Sequence, residues 1–366
     1  MAHIVIDARE LRTSTGRYIE RLIHYLQQID NANKYTILLL PKDYPTWQPS
    51  AKNFVKKECS YKEFTFGEQL GYAWFLYKLK ADLVHFGMVQ QPLLYFKKSV
   101  TTIHDLTTIH FRNPSKPAWV FWLKSPPYRL VIWWAAHKNR TIITPTNYVK
   151  DDVANFAHIN KDKIVVTYES ADEIAGKATP IPALSGKDFI MYVGRPQPHK
   201  NLSRLIEAYA LMRNKHPSLK LVIAGKKDKL HLNHFATAKK LGVADGLVFT
   251  GYITDSQLKW LYLHTQAYVF ASLSEGFGLP PLEAMTHGAP VICSNATCLP
   301  EVNGNAPEYF VPTDVHAIAN AIDKVLSNAT LRQQMIQKGH RQVNKYSWER
   351  MAKQTLEIYE EALTPK

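Results

Sequence analysis

Residues 268–288 read Tyr-Val-Phe-Ala-Ser-Leu-Ser-Glu-Gly-Phe-Gly-Leu-Pro-Pro-Leu-Glu-Ala-Met-Thr-His-Gly. Tyr268–Ala271 is a short apolar run of the kind found in strands buried on both faces. A loop holding Gly276 and Gly278 follows; Pro280 and Pro281 suit the opening of a helix, and Gly288 suits its end. The segment therefore reads strand, glycine loop, helix, and open α/β sheets hold their ligands at such carboxyl ends of strands. The amides of Phe277, Gly278 and Leu279 are placed to donate to hydroxyls or anionic oxygens from a helix N-terminus. Glu275 falls in the loop and Glu283 in the first helical turn, with seven residues between them. A loop carboxylate there can reach a sugar ring while the helical one faces another part of the same ligand. The same pair also reads as a solvated loop residue and an acid suited electrostatically to a helix N-terminus.

Outward from this segment the pattern repeats. Phe189–Val193, Leu221–Ala224, Leu247–Thr250 and Pro290–Cys293 predict further short strands. So do Ile4–Asp7, Tyr35–Leu40, Leu83–Phe86, Val100–His104, Thr141–Thr144 and Ile164–Thr167 in the first half. Amphipathic helices lie between them, as Leu202, Leu205, Ile206, Tyr209 and Met212 show by their 3.6-residue spacing. Alternating strands and helices predict α/β domains with parallel, doubly wound sheets. The series breaks at 171–187, which is rich in Ala, Pro, Gly and Lys and reads as a linker. We expect a first domain over 1–170 and a second over 188–346. A last helix within 347–366 carries Trp348, Met351, Ala352, Thr355, Leu356 and Tyr359 on one face.

A second cluster, Tyr192-Val-Gly-Arg-Pro-Gln-Pro-His-Lys-Asn201, ends the strand Phe189–Val193. Arg195 and Lys200 flank a proline-kinked loop before a helix opening near Asn201. A guanidinium fork and an ammonium point charge at such a junction suit a diphosphate. Two surface cations in a basic chain is the plainer alternative.

Both clusters resemble glycosyltransferase family 4, the large retaining family of GT-B architecture. SEGFGLPPLEAMTHGAPVICSN is similar to the family's signature with its two glutamates, and YVGRPQPHKN to its phosphate-binding loop. LVIAGKKD (221–228), VFTGYITDSQLKWLY (248–262), LPEV (299–302) and the ending YSWERMAKQTLEIYEEAL extend the resemblance from about residue 140 onward. It implies two Rossmann-like domains facing a cleft, with the final helix returning to the N-terminal domain. It implies that Glu275 contacts donor-sugar hydroxyls, that Glu283 holds the ribose, and that Arg195 and Lys200 stabilise the departing diphosphate, assisted by the amides of 276–279, Gly276 included. No Asp-x-Asp triplet occurs, which fits a family in which cationic side chains replace a metal. No cofactor is expected beyond the nucleotide-sugar donor, with GDP-mannose as first choice and UDP-sugars next.

The first strand leads into Asp7-Ala-Arg9 and then Thr13-Ser-Thr-Gly16, where Gly16 best matches the family's glycine near the donor diphosphate. TIHDL (102–106) resembles the segment that sets a histidine, here His104, beside the donor sugar; Asp105 would orient it or meet the acceptor. His85 and Gly87, in DLVHFG (82–87), resemble a segment shaping the acceptor side.

Composition bounds the remaining choices. The 366 residues are 46% hydrophobic and 21% charged, as for a folded soluble protein rather than a disordered one. MAHIVIDARE has neither the basic start nor the apolar core of a signal peptide, and Leu130–Ala136 is too short to span a bilayer, so a cytoplasmic location is expected. Cys59, Cys293 and Cys298 read as buried thiols, not a disulfide framework or zinc site. The net charge is +14, and residues 101–150 hold 7 basic residues against 1 acidic. Such a face favours an anionic partner. Within it, residues 116–140 carry four of the eight tryptophans. Tryptophan beside Lys and Arg suits a lipid headgroup interface, or single-stranded nucleic acid, or simply a packed helix pair with a basic outer face. We expect a glycan or lipid-linked acceptor and contact with an anionic membrane surface, and do not expect a nucleic-acid partner. The rival readings are a GT-B sugar phosphorylase or epimerase, and a non-catalytic nucleotide-sugar or nucleic-acid-binding module.

Overall fold

A computed structural model describes residues 1–13, 16–62, 65–111, 118–226 and 229–364, without the side chains of 118, 120, 121, 123, 124, 229 and 230. The chain divides into two units. Met1–Ile109, Trp119–Glu169 and Ser347–Lys366 form the first; His110–Ala118 and Ser170–Tyr346 form the second. The stretch 171–187, read from sequence as a linker, is counted with the second unit, and so is the short segment 110–118 that sequence placed in the first.

The first unit contains β1 (His3–Asp7), β2 (Lys34–Leu39), β3 (Phe54–Glu58), β4 (Leu83–Phe86), β5 (Ser99–Thr102), β6 (Thr141–Thr144) and β7 (Ile164–Val166). They form one sheet in the order β3-β2-β1-β4-β5-β6-β7, and every pairing is parallel. The second unit contains β8 (Phe189–Val193), β9 (Lys220–Ala224), β10 (Leu247–Gly251), β11 (Ala267–Phe270), β12 (Val291–Ser294) and β13 (Glu308–Phe310), ordered β10-β9-β8-β11-β12-β13 and again wholly parallel. Each chain path winds outward from a central strand, returns, and winds the other way. The direction reverses between β1 and β4 in the first sheet and between β8 and β11 in the second. These are the switch points at which a doubly wound sheet leaves a crevice above its carboxyl ends.

The central strands are apolar on both faces because helices cover both: β4 and β11 are buried throughout. β3 and β13 have no counterpart among the sequence expectations. Both are edge strands, and an edge strand exposes part of its surface and can be short and charged. FVKKE buries only Phe54 and ends in charged residues, and EYF is only three residues long, so neither produces an apolar run.

The helix Trp348–Leu363, capped by the Ser347 side chain, packs on the helix Gly16–Ile29 in the first unit. Its buried face holds Trp348, Met351, Ala352, Thr355, Ile358, Tyr359 and Ala362; Leu356, expected there, is half-buried, and Ile358 takes the inward position. Beneath this face runs a buried polar chain. Tyr359 Oη lies 2.6 Å from His85 Nδ1, His85 Nε2 lies 2.9 Å from Thr102 Oγ1, and that hydroxyl lies 3.0 Å from Tyr18 Oη. Burial, helped by the neighbouring His104, pushes the His85 ring down to about 3, so it is neutral in the folded protein. An unfolded chain protonates this histidine below its usual 6.5, so this site withdraws stability as pH falls from there toward 3. Tyr359→Phe removes the phenolic hydroxyl and strands a buried ring nitrogen. We expect the denaturant midpoint to fall with an unchanged slope, by about 1–3 kcal/mol, the cost of an unsatisfied buried polar group; a midpoint equal to that of the parent would remove this chain from the stabilising interactions.

Candidate functional site

In the second unit the two loops singled out by sequence emerge from β8 and β11, the neighbours at the switch point. Their charged residues meet: Lys200 Nζ lies 2.5 Å from Glu275 Oε1, with side-chain exposures of 20% and 13%, so the pair is partly shielded yet reachable. Lys200 also sits over the Phe270 ring at 5.5 Å. The loop after β8 turns at Asn201, which takes the left-handed conformation (φ 61°). Asn tolerates that conformation better than most residues. Its side-chain amide donates to Ala271 O (3.1 Å) and Pro312 O (2.7 Å), tying the phosphate-loop candidate to the ends of β11 and β13. Leu273 N and Ser272 Oγ both donate to His199 O, so the two loops are stitched together by main chain as well. Arg195 is exposed and has no carboxylate partner among the described residues.

Glu275 is held from behind: its amide donates to Thr297 Oγ1 (3.2 Å), and the Cys298 thiol donates to its carbonyl oxygen (3.2 Å). Nothing local in the sequence pointed to Thr297 or Cys298, which reach the site because the loop after β12 lies beside that after β11. Cys298 and Cys293 are buried thiols pushed up by burial, with the nearby Glu275 charge adding to it. Gly276, Phe277 and Gly278 are buried and Leu279 half-buried. The Phe277 ring stacks edge-on against Tyr346 at 5.8 Å, so this side chain belongs to the core and its main chain is what remains for a ligand. Gly278 has φ +83°, and a Cβ there would stand 2.6 Å from Leu299 Cδ2. Glycine at this helix entry is therefore required twice, by backbone and by space.

The helix spans Leu279–Thr286. It begins one residue before Pro280, which places Glu283 beyond the first turn and corrects the sequence reading. Helix-terminus electrostatics fade within one turn, so that account of Glu283 loses its force. Its carboxylate instead accepts from Tyr262 Oη at 3.3 Å, and its carbonyl oxygen meets His287 Nδ1 at 2.7 Å.

In the first unit, Gly16 opens the helix Gly16–Ile29; Ser14 and Thr15 lie outside the described residues. A Cβ on Gly16 would collide with Leu11 O at 2.2 Å and Glu10 O at 2.4 Å, so the turn closes on bare backbone. Gly87 is equally confined, 2.3 Å from Ile19 Cδ1. His85, expected on the acceptor side, is fully buried with both ring nitrogens engaged, which leaves no face for an acceptor; it is a structural residue. Arg9, also passed over by sequence, is buried at the end of β1, paired with Asp7 (2.8 Å) and Glu68 (3.1 Å) and covering the Tyr72 ring.

His104 stands at the carboxyl end of β5. Nε2 lies 3.0 Å from Gly87 O, and Nδ1 lies 3.3 Å from Glu169 Oε1. A carbonyl and a carboxylate both only accept, so both ring nitrogens must carry protons for both bonds to form. Burial opposes the charged ring, but Glu169, the Gly87 carbonyl and Asp105 outweigh it and hold His104 above its usual 6.5. Glu169, not Asp105, orients the ring; Asp105 Oδ1 accepts from Thr107 N at 2.8 Å and shapes the next turn.

Residues 178–342 match the family model described as glycosyl transferases group 1. That stretch is just under half of the chain, and over it the chain resembles the family. The O-antigen chain mannosyltransferase B of Escherichia coli is 29% identical over 304 residues, covering 78% of this chain and 76% of that protein. The serotype-specific mannosyltransferase WbdA of the same organism is 33% identical over 222 residues, 59% of this chain; that stretch is only 27% of the relative. Anabaena Alr3699/HepE, solved with UDP and glucose, superposes with a TM-score of 0.74 at 15% identity over 99% of this chain and 100% of that one. The fold is GT-B, and the protein is a glycosyltransferase. The imidazolium reading of this glycosyltransferase's His104 is directly measurable. Glu169→Gln should lower the His104 pKa in an NMR titration of its ring. The pair's stabilisation, present below 6.5 and lost as pH rises through the raised value, should vanish with it. An unchanged titration in the variant would show that Glu169 does not hold the proton.

Proposed function

We propose that this glycosyltransferase moves a hexose from a nucleotide-diphosphate sugar to a glycan or lipid-linked hydroxyl, without a metal and with retention at the anomeric carbon. The Lys200–Glu275 pair at the β8/β11 switch point, with Arg195 unpaired on the same loop, carries the reading. Arg195 and Lys200 hold the diphosphate and stabilise its growing charge as the C1–O bond breaks, the task electrostatic preorganisation performs best. Donor binding releases Lys200 toward phosphate and frees Glu275 for sugar hydroxyls. Glu283, already engaged as an acceptor by Tyr262, takes the ribose hydroxyls. Amides of 276–279 complete the anion cradle; in the first unit Gly16 and His104 are the residues we assign to the reaction by their resemblance to the family's segments. The acceptor hydroxyl forms its bond to C1 on the face the phosphate leaves, and its proton passes to the leaving phosphate oxygen. The mannosyltransferases among the relatives favour GDP-mannose, and the UDP held by HepE keeps a UDP-sugar next in line. Nothing in the structure favours a phosphorylase, an epimerase or a non-catalytic binder.

Contact with an anionic membrane surface is part of the same reading. Residues Ala118–Lys138 form one helix with Pro126 and Pro127 inside it. Val131, Ile132, Ala135 and Ala136 bury its inner face, while Trp119, Trp122, Leu130 and Trp133 lie exposed at steps of three, eight and three along the other. The core-packing role thus falls to the aliphatic face, and an outward tryptophan stripe suits the headgroup layer. Lys116 lies outside the described residues, and among the described residues no helix is long and apolar enough to cross a membrane.

Arg195→Ala and Lys200→Ala, assayed with GDP-mannose and UDP-sugars in excess EDTA, should each lower turnover roughly 100- to 1,000-fold while the parent stays active; near-normal variants, or a parent that needs added magnesium, would sink the proposal. The parent should float with phosphatidylglycerol vesicles at low salt, and Trp119→Ala/Trp122→Ala should not; a parent that stays in the soluble fraction ends the membrane reading.

A further inference from the structure

The amino-terminal edge of the first sheet, opposite to the edge that holds His104, carries an open cavity of about 340 Å³. Lys97, Lys98, Ser99, Lys138, Arg140 and Lys163 line it, five cations with no acid among the lining residues. Strand order assembles them: Ser99 begins β5, Arg140 directly precedes β6, and Lys163 directly precedes β7. The cations are braced on neutral oxygens. Lys98 Nζ donates to Leu363 O (2.7 Å), Arg140 Nη2 to Thr364 O (2.8 Å), Lys163 Nζ to His137 O (2.5 Å), and Lys138 Nζ to Pro92 O (2.8 Å) and Tyr95 O (3.0 Å).

Carbonyl dipoles orient a cation without cancelling its charge. A second observation concerns Ser99, itself one of the lining residues. Ser99 is buried at 2% exposure, yet its hydroxyl has no hydrogen-bond partner among the described residues. Buried hydroxyls are normally satisfied, and one left open beside a set of cations is a donor waiting for an acceptor. We propose that this cavity is a binding site for a phosphate-type oxyanion, separate from the donor loops, with Ser99 Oγ, Lys97, Lys98 and Arg140 as its donors. Burial pushes the Lys138 ammonium down to about 7, and a bound anion would hold it charged. Glu360 and Asp82 line the adjoining depression, which also shares Lys97 and Lys98, and set the limit of the basic surface on that side.

The competing account is that Lys98, Arg140 and Lys163 merely cap the carboxyl ends of two helices, as basic residues often do. It leaves the open Ser99 hydroxyl unexplained and does not include Lys97, whose ammonium stands 5.8 Å from the centre of the Tyr77 ring; Lys97→Gln and Ser99→Ala touch neither helix end. The phosphate comes from a free phosphorylated solute or from a lipid headgroup, and two probes separate these sources. Hydrogen exchange of the full-length protein is followed by mass spectrometry at 97–100 and 138–141, with inorganic pyrophosphate in one arm and phosphatidylglycerol vesicles in the other. Slowed exchange at both stretches is expected in at least one arm, and pyrophosphate alone or vesicles alone names the source. Lys97→Gln/Ser99→Ala should weaken the protecting ligand about tenfold or more, the effect of losing charge-assisted hydrogen bonds, with sugar transfer and melting temperature unchanged. Arg195→Ala/Lys200→Ala should leave the protection intact, which keeps this result independent of the donor-site reading. No protection in either arm would overturn the proposal, as would protection that survives Lys97→Gln/Ser99→Ala.

Discussion

A parallel sheet that winds both ways from its centre has one place where adjacent strands send their following helices to opposite faces. No helix can cover the carboxyl ends there, and the crevice stays open. In the second unit that place lies between β8 and β11. Every candidate donor residue of this unit stands on the loops from those two strands or on the helix that follows β11. Lys200 and Glu275 are 75 positions apart in the chain and 2.5 Å apart in space because of that one adjacency. Placing two charges where exposure is 13–20% is costly unless they are paired. Here each charge has the other as its partner. Asn201 and Thr297, each with a positive φ, are the backbone devices that let the loops approach so closely.

The same constraint shapes the first unit, where the switch lies between β1 and β4. There the loop end is closed by a buried Arg9 clasped by Asp7 and Glu68. Two nearby histidines show how environment sets charge. His85 meets only neutral hydroxyls under the last helix and is neutral. His104, facing a carboxylate and a carbonyl, holds its second proton. Each state reinforces the other, since the His104 charge further disfavours protonation of His85. The opposite edge of this sheet gathers cations onto carbonyl oxygens, so one sheet presents two chemically different ends.

The amino-acid sequence by itself determined the central strands, the helix faces of Leu202–Met212 and most of Trp348–Leu363, and which loops are the candidate donor loops. Those features are written in contiguous residues: a buried strand needs an unbroken apolar run, a helix face needs a 3.6-residue period, and a phosphate loop needs its cations within a few positions. Tertiary structure decided the rest. The edge strands β3 and β13 are half-exposed and have no local signature. His85 looked like a strand-end ligand residue, but burial beneath Tyr359, 274 positions away, makes it structural. Glu169 could not be linked to His104 before β5 and the end of the first unit were placed together. The basic cavity joins residues 97 to 163 through the order β5-β6-β7. Short-range pattern records what a segment will be; which segments become neighbours depends on sheet order, and it is neighbours that set charge state and chemistry.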